Sequence, residues 1–160
     1  MLLHADRNNH MNPHKVTIAS LFTMQSRHLI PIFQRQYVWD ERDQWAPLWD
    51  DVTQKAQELL SPQAGMLQLR KHFMGAVVLR AIPPSGLEYQ AFEVIDGQQR
   101  LTTLQVLLIA LRDYSKQRSL GPSLAMLTGI TANPRLSGKE YEQHKVVPTT
   151  RDRADFQDVF

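Results

Sequence analysis

The 160-residue sequence fits one domain of ordinary size, and its 42% hydrophobic and 21% charged residues exclude a chain that is disordered throughout. It has no cysteine, which excludes disulfides, thiolate zinc sites and cysteine nucleophiles, and no apolar run reaches the roughly 18 residues of a membrane helix. The formal net charge of +2 is too small to indicate a nucleic-acid partner by itself, and a cytoplasmic location is expected.

The N-terminal segment is predicted to be a leader that precedes one folded domain. Residues 1–15 are polar and lack the apolar stretch of a secretory signal, so they are expected to form a disordered leader. The expected domain covers residues 16–160. Within it, residues 16–24 favour a short helix capped by Thr17, and residues 28–32 favour an extended segment because the residue before a proline is biased away from helix.

The first long helix is predicted over residues 40–60. Apolar residues recur there at intervals of three and four, which gives the helix one apolar face. These residues are Trp45, Leu48, Trp49, Val52, Ala56 and Leu59. Asp40 can cap the start of the helix. Pro47 falls past the first turn of a helix that begins at position 40, so the helix either bends there or begins later.

A hairpin and a second long helix are predicted next along the chain. Residues 73–79 form a compact apolar run that is typical of a buried strand, and residues 89–95 favour a second strand that pairs with it. Two prolines and a glycine predict a turn over residues 82–86. Residues 98–118 favour a helix whose leucines mark its buried face.

The C-terminal part of the sequence gives weaker signals. Residues 120–138 are predicted to be a loop with at most one short helical turn, and residues 145–147 favour a short strand. Residues 151–160 resemble the first turns of a helix inside which the chain stops. The domain is therefore expected to be truncated at its C-terminus.

The segment that indicates chemistry is a strand followed by Asp96-Gly97 and a helix. A helix N-terminus presents unpaired backbone N–H groups and a partial positive charge, so a phosphate is stabilised there. Gly97 allows a sharp turn and the close approach of an anion, and Arg100 can add a bidentate contact to a phosphate oxygen. The remaining candidates for this nucleotide-binding site are Gln98, Gln99, Thr102 and Thr103.

Asp96 is predicted to act differently from its neighbours because a carboxylate repels phosphate. It could hold a divalent cation that bridges phosphates, or it could orient an attacking water, and Gln98 is the next catalytic candidate. The alternative is structural, since Asp96 followed by Gln99 has the spacing of a helix-capping box, and a capped helix needs no ligand. Spacing alone favours the capping box.

A second cluster covers residues 30–39 (IPIFQRQYVW), in which three aromatic residues alternate with polar ones. Aromatic faces can stack on bases and an arginine can meet a phosphate, so this cluster is a candidate nucleic-acid or nucleotide contact. The candidate residues are Gln34, Arg35, Tyr37 and Trp39, together with His72 beside the start of the predicted strand. The alternatives are an aromatic anchor that packs a loop onto the core and a structural histidine.

Several segments, taken in this order, resemble a single family. They are residues 31–39 (PIFQRQYVW), 48–51 (LWDD), 72–75 (HFMG), 94–104 (VIDGQQRLTTL) and 146–160. They resemble the N-terminal domain of GmrSD-type modification-dependent restriction endonucleases, which is related to the phosphorothioate-sensing protein SspE and to BrxU-like proteins. The DGQQR string between a strand and a helix is the most specific part of the resemblance.

The resemblance implies an α/β (α+β) fold of the ParB/sulfiredoxin-like type, with a small mixed sheet flanked by helices. It also implies binding of ATP or GTP with Mg²⁺, hydrolysis of the triphosphate, and defence against phage DNA with modified bases or backbones. The family's site residues carry over to Asp96, Gly97, Gln98, Gln99 and Arg100. No HNH-type nuclease pattern is visible, so DNA cleavage is expected from a C-terminal or separate nuclease domain, and a homo-oligomer is a further expectation.

Three functions stay open on the sequence. The first is a regulatory domain of a restriction system that binds and hydrolyses nucleoside triphosphate at residues 96–100. The second is a ParB-like DNA-binding module in which Arg100 and the helix N-terminus hold a DNA phosphate without hydrolysis. The third is an interaction domain in which the capping box is purely structural.

Overall fold

Two compact units make up the chain in the computed structural model. The structure describes residues 2–5, 11–61, 71–83, 86, 88–136 and 143–159. One unit combines Met1–Gln36 with Gly75–Phe160, and the other is Tyr37–Met74. The first unit contains the sheet and the Asp96–Arg100 segment, so most of the candidate site belongs to it.

A six-stranded mixed sheet forms the base of the first unit within the described residues. Its strands are β1 (Leu2–Ala5), β2 (Met11–His14), β3 (Ser26–Leu29), β4 (Val77–Ile82), β5 (Gln90–Asp96) and β6 (Val146–Val147), in the spatial order β2-β1-β4-β5-β3-β6. β1 pairs antiparallel with β2 and parallel with β4, β4 pairs antiparallel with β5, and β3 pairs parallel with β5 and β6. The predicted hairpin and the predicted mixed α/β architecture are confirmed.

The α-helices are α1 (Ile18–Thr23), α2 (Ala46–Leu60), α3 (Gln98–Gln117), α4 (Gly121–Thr131) and α5 (Arg153–Val159). Thr17 caps α1 through a reciprocal pair of hydrogen bonds with Ser20, as predicted. Packing joins α3 to α4. No helix among the described residues combines the length and the apolar character needed to cross a bilayer.

The hydrophobic core of the first unit draws on both the strands and the helices. Its most deeply buried apolar residues are Phe22, Leu79, Val94, Leu101, Ile109 and Val146. Full burial of such a side chain stabilises a fold by about 1.5–3 kcal/mol. The start of α3 is buried almost all round, because Leu101 and Leu104 are accompanied by buried polar residues. The position of the helix start relative to β4 and β5 is therefore set by the core.

The prediction of a disordered leader is wrong for its described segments. Leu2–Ala5 and Met11–His14 form β1 and β2, while residues 1 and 6–10 lie outside the described residues. A polar composition does not prevent strand pairing, which uses backbone hydrogen bonds. Pro13 lies in β2, an edge strand of the sheet within the described residues, which is where sheets tolerate proline.

The predicted loop over residues 120–138 is also wrong in its described part. Eleven residues form α4, with Pro122 in its first turn. The Gly121-Pro122 pair suggested a break, yet a proline is favourable at a helix start because the N–H it lacks has no partner there. The strand predicted over residues 73–79 begins only at Val77, and Phe73 is exposed.

The second unit contains a π-helical turn, Glu41–Trp45, that leads into α2. The carboxylate of Asp40 accepts a hydrogen bond from the backbone N–H of Asp43 at 2.9 Å, which confirms the predicted cap. Since α2 itself begins at Ala46, Pro47 lies in its first turn, and the later helix start is the correct alternative. None of the side chains of α2 is buried, although the sequence predicts an apolar face.

Candidate functional site

The candidate site begins at a β-bulge where β5 ends. Val78 of β4 pairs with Asp96, whereas the next residue, Leu79, pairs with Val94, so Ile95 is an extra residue on β5. If side chains alternated strictly along β5, the side chain of residue 96 would point to the same buried face as that of Val94. The bulge breaks the alternation, and the Asp96 side chain is 72% exposed. The bulge therefore presents the Asp96 carboxylate to solvent.

Helix α3 begins directly after Asp96 without a side-chain cap. Gly97 occupies the N-cap position with a φ of +89°, and no side chain caps the helix. The capping-box alternative is therefore wrong, because Asp96 is still the last residue of β5 and lies one position ahead of the cap. The start of α3 therefore has no side-chain cap, and Gly97, Gln98 and Gln99 are themselves buried. The helix dipole and the first-turn N–H groups give this end a partial positive charge.

Gly97 makes the sharp turn that the sequence predicts, and it also packs closely on β4. A Cβ at this position would lie 2.9 Å from the carbonyl oxygen of Ala76 and 3.1 Å from Cγ2 of Val77. The space beside Gly97 is thus filled by protein. The missing side chain allows the start of α3 to approach β4, in addition to allowing the positive φ.

Three glutamine side chains fasten residues 34–36 to this strand–helix junction. Each donates its Nε2 to a backbone carbonyl: Gln34 to Ile95 (3.0 Å), Gln98 to Arg35 (2.8 Å) and Gln99 to Gln36 (3.0 Å). We name these three bonds the glutamine lock. Gln98 and Gln99 are each only 6% exposed, so these amide hydrogens are used inside the protein. The Oε1 atom of Gln98 is a buried acceptor with no partner among the described atoms.

Arg100 lies against the backbone at Gly75 and Ala76. Its Nη2 donates to the Ala76 carbonyl at 2.5 Å, and its Nε is buried without a partner among the described atoms. The edge of the guanidinium that carries Nε and Nη2 therefore faces the protein. The side chain is 33% exposed, and Nη2 lies 4.0 Å from the Asp96 carboxylate. The end that carries Nη1 is the part that Arg100 can offer to an anion.

Thr102 and Thr103 lie deeper in the protein than the other candidate residues. Both are buried, and the Thr103 hydroxyl donates to the carbonyl of Gln99 one turn earlier at 2.8 Å. This is the usual backbone bond of a threonine within a helix. The structure thus places both residues in the packed part of α3.

The aromatic-rich segment is divided between the two units. In the first unit, the N–H of Gln34 donates to the Pro31 carbonyl at 3.0 Å and closes a tight turn, and Arg35 follows it with an exposed side chain. Ile32 and Phe33 at the tip of the turn are exposed. This turn is held by the glutamine lock and presents two apolar side chains and one cation.

The other predicted contact residues lie in the second unit. The hydroxyl of Tyr37 accepts a hydrogen bond from Nε1 of Trp45 at 2.7 Å, and Trp39 is partly buried. Nε2 of His72 lies 3.4 Å from the carboxylate of Asp51. Tyr37 and His72 therefore have structural partners within their own unit.

Asp96 is the carboxylate that this site offers to a divalent metal. The described residues contain no group of three or more His, Asp or Glu side chains that could hold a metal ion. Mg²⁺ is commonly bound by one or two carboxylates together with substrate phosphates and waters. The exposed carboxylate of Asp96, at an uncapped helix N-terminus, fits that mode of binding.

Sequence reasoning missed the contribution of Gly75 and Ala76 to this site. Gly75 has a φ of +92°, and the Ala76 carbonyl binds Arg100. The only sequence signal was the presence of Gly75 in the HFMG string, which carries no chemistry of its own. The bulge at Ile95 left no signal, because a single extra residue does not disturb a short apolar run.

The comparisons with known proteins agree with this arrangement of motifs. The family model for the GmrSD restriction endonuclease, N-terminal domain, matches residues 18–160. No curated protein matches the chain. The matched region contains the turn at residues 31–34, the glutamine lock and the Asp96–Arg100 segment. Because the match covers most of the sequence, the chain belongs to the GmrSD restriction endonuclease N-terminal domain family.

Proposed function

We propose that this chain is a nucleotide-binding and NTP-hydrolysing regulatory domain of a modification-dependent DNA restriction system. Membership of a restriction endonuclease family supports a role in restriction and phage defence and implies DNA as a partner. The finer proposal is that ATP or GTP binds at the start of α3. In this proposal a nuclease domain, in the same or a separate chain, cleaves the DNA, and the location is cytoplasmic.

The uncapped start of α3 is the observation that carries the proposal. A helix that begins at a positive-φ glycine directly after a strand offers its first-turn N–H groups to a phosphate. The guanidinium of Arg100 is held beside this end by the Ala76 carbonyl, so it is already oriented before a ligand arrives. The unpartnered Oε1 of Gln98 is a buried acceptor that a donor group of a ligand or a water would satisfy.

The proposal gives the two charged side chains different roles. Arg100 binds a phosphate oxygen and stabilises the charge that develops during hydrolysis. Asp96 holds Mg²⁺ or orients the attacking water. When bound, Mg²⁺ would neutralise phosphate charge. Gln98 and Gln99 act mainly through the glutamine lock, which holds Arg35 close to the phosphate site.

DNA is proposed to meet the turn at residues 31–34 and the neighbouring Arg35. The exposed arginine can bind a backbone phosphate, and the exposed apolar tip can contact a base or sugar. The competing function is a DNA-binding module that holds a DNA phosphate at the start of α3 and hydrolyses nothing. Both functions use the same anion position, so direct binding measurements with nucleotide alone separate them.

Calorimetry with ATP and GTP in the presence of Mg²⁺ tests nucleotide binding on the folded 160-residue chain. Saturable heat is expected for at least one triphosphate. Arg100→Ala is expected to weaken it by about 1.5–3 kcal/mol, the usual contribution of a hydrogen bond to a charged group. If neither triphosphate binds while duplex DNA does, the DNA-binding module is the better description.

Phosphate release by Asp96→Asn tests the role of Asp96. The variant should fold normally, because the side chain is exposed and caps nothing. We expect it to lose most hydrolysis while it keeps nucleotide affinity. Asp113→Asn is the matched control, since it removes a partly exposed carboxylate elsewhere on α3. Unchanged hydrolysis in Asp96→Asn would remove the metal or water role from this residue.

A further inference from the structure

We infer that Gly75 is a positioning residue that sets the orientation of Arg100 in the phosphate site. The inference rests on the proposed function, since it concerns how the same site holds its arginine. The observations that carry it are the backbone conformation of Gly75, the closeness of the Arg100 side chain and the edge of the guanidinium that this closeness leaves exposed.

Gly75 leaves the space that the Arg100 side chain occupies. A Cβ at position 75 would lie 2.9 Å from Nε, 3.0 Å from Cδ and 3.1 Å from Cζ of Arg100. Real Cβ atoms essentially never lie less than 3.0 Å from such an atom, so the contact with Nε is too close to be kept. Any residue other than glycine would therefore move the guanidinium. The neighbour that gives way is a side chain and not backbone, so the fold can survive the change.

The backbone of Gly75 also favours glycine for a second reason. Its φ of +92° lies in the region that side chains with a Cβ rarely adopt. This conformation precedes the Ala76 carbonyl, which accepts the bond from Nη2 of Arg100. Position 75 therefore affects Arg100 in two ways. It forms the surface on which the guanidinium lies, and it sets the backbone that leads into the Ala76 carbonyl to which Nη2 donates.

This packing leaves only one end of the Arg100 guanidinium accessible to a ligand. Nε is buried and Nη2 bonds to Ala76, which leaves the Nη1 end for a ligand. An arginine held by its inner edge presents one fixed end to a phosphate, with little entropy left to lose on binding. Gly75 thus contributes to phosphate affinity through Arg100, without touching the ligand.

Gly86→Ala provides a matched control for Gly75→Ala. Gly86 also has a positive φ, of +67°, but a Cβ there would meet no described atom within 4 Å. Both variants introduce a Cβ at a positive φ, and only Gly75→Ala displaces Arg100. Gly75→Asn serves as a second variant, because asparagine tolerates positive φ better than alanine and carries the same Cβ.

The experiment measures affinity for ATP and GTP with Mg²⁺ by calorimetry in five chains: wild type, Gly75→Ala, Gly86→Ala, Arg100→Ala and the Arg100→Ala/Gly75→Ala double variant. Gly75→Ala should lose about tenfold or more in affinity, as expected for a misplaced charged hydrogen bond. Gly86→Ala should bind like the wild type. The double variant should bind like Arg100→Ala alone, because Gly75 acts only through Arg100.

A second measurement separates this inference from the proposed function. The Nε–H resonance of Arg100 should be protected from solvent exchange in the wild type and in Gly86→Ala, since this group is buried. It should lose that protection in Gly75→Ala and in Gly75→Asn. Two outcomes would overturn the inference. One is an Nε–H that stays protected in Gly75→Ala; the other is a Gly75→Ala change that lowers affinity equally whether position 100 is arginine or alanine. If the wild type binds no triphosphate, the proposed function fails and the resonance alone decides whether Gly75 positions Arg100.

Discussion

Lys145 should make the stability of the first unit depend on pH in the alkaline range. The residue is 1% exposed, and its Nζ donates to the carbonyl of Met24 at 3.0 Å. No carboxylate pairs with it among the described residues. Burial disfavours the charged ammonium and lowers the pKa of Lys145 from its ordinary value of 10.5 to about 8. The perturbation we propose is Lys145→Met, which keeps the bulk and removes the charge.

The size of the effect follows from the difference between the pKa in the folded and unfolded states. Below about pH 8 both states carry the charge, and the folded state bears the full cost of burying it. Between about pH 8 and 10.5 the unfolded state holds the proton more tightly, so the free energy of unfolding rises with pH. The shift corresponds to a gain of about 2–3 kcal/mol between pH 7 and pH 10.

Urea denaturation at a series of pH values measures this gain. The difference in free energy of unfolding between the wild type and Lys145→Met should rise by about 2–3 kcal/mol from pH 7 to pH 10. Lys116→Met is the control, because Lys116 is exposed in the last turn of α3 and its removal should leave the slope unchanged. Parallel stability curves for the wild type and Lys145→Met would refute the reasoning.

Two further predictions concern the junction between β5 and α3. Gly97→Ala should lower the free energy of unfolding by more than Gly86→Ala does, because its Cβ would press on the backbone carbonyl of Ala76, and guanidinium chloride denaturation of both variants gives the comparison. Gln98→Ala should destabilise the protein by about 1–3 kcal/mol, since it leaves the Arg35 carbonyl without its donor. An unchanged midpoint in Gln98→Ala would show that the Gln98 bond of the glutamine lock adds nothing to stability.

The sequence predicted those parts of the fold that depend on local periodicity and on residues close in sequence. The cap at Thr17, the cap at Asp40 and the length of α3 were all predicted because each depends on neighbours within four positions. The missed helix α4 shows the limit of reasoning from neighbouring residues. A Gly-Pro pair has two opposite meanings, and only packing against α3 decides between a break and a helix start.

The sequence predicted which residues lie at the candidate site but not which atoms they contact. The glutamine lock joins positions 61 to 63 residues apart, so no local pattern indicates which amide bonds which carbonyl. The bulge at Ile95 could not be predicted either, because its effect appears only when β5 is placed in register with β4. The exposure of the Asp96 carboxylate depends on that bulge, since an unbroken strand would turn it inward.

The side chains of the DGQQR string fall into two sets, one that reaches solvent and one that is buried. Mutations in the two sets have to be interpreted differently. Asp96 and Arg100 have atoms that reach solvent, whereas the amides of Gln98 and Gln99 are buried against carbonyls of residues 35 and 36. A glutamine variant that loses hydrolysis has therefore also released the segment that carries Arg35. Such a loss is evidence for catalysis by Gln98 only if the melting temperature and the DNA affinity are unchanged. Asp96→Asn releases no such segment, because the Asp96 carboxylate is exposed and caps no helix. It does remove the negative charge 4.0 Å from Nη2 of Arg100, so its nucleotide affinity has to be measured beside its hydrolysis.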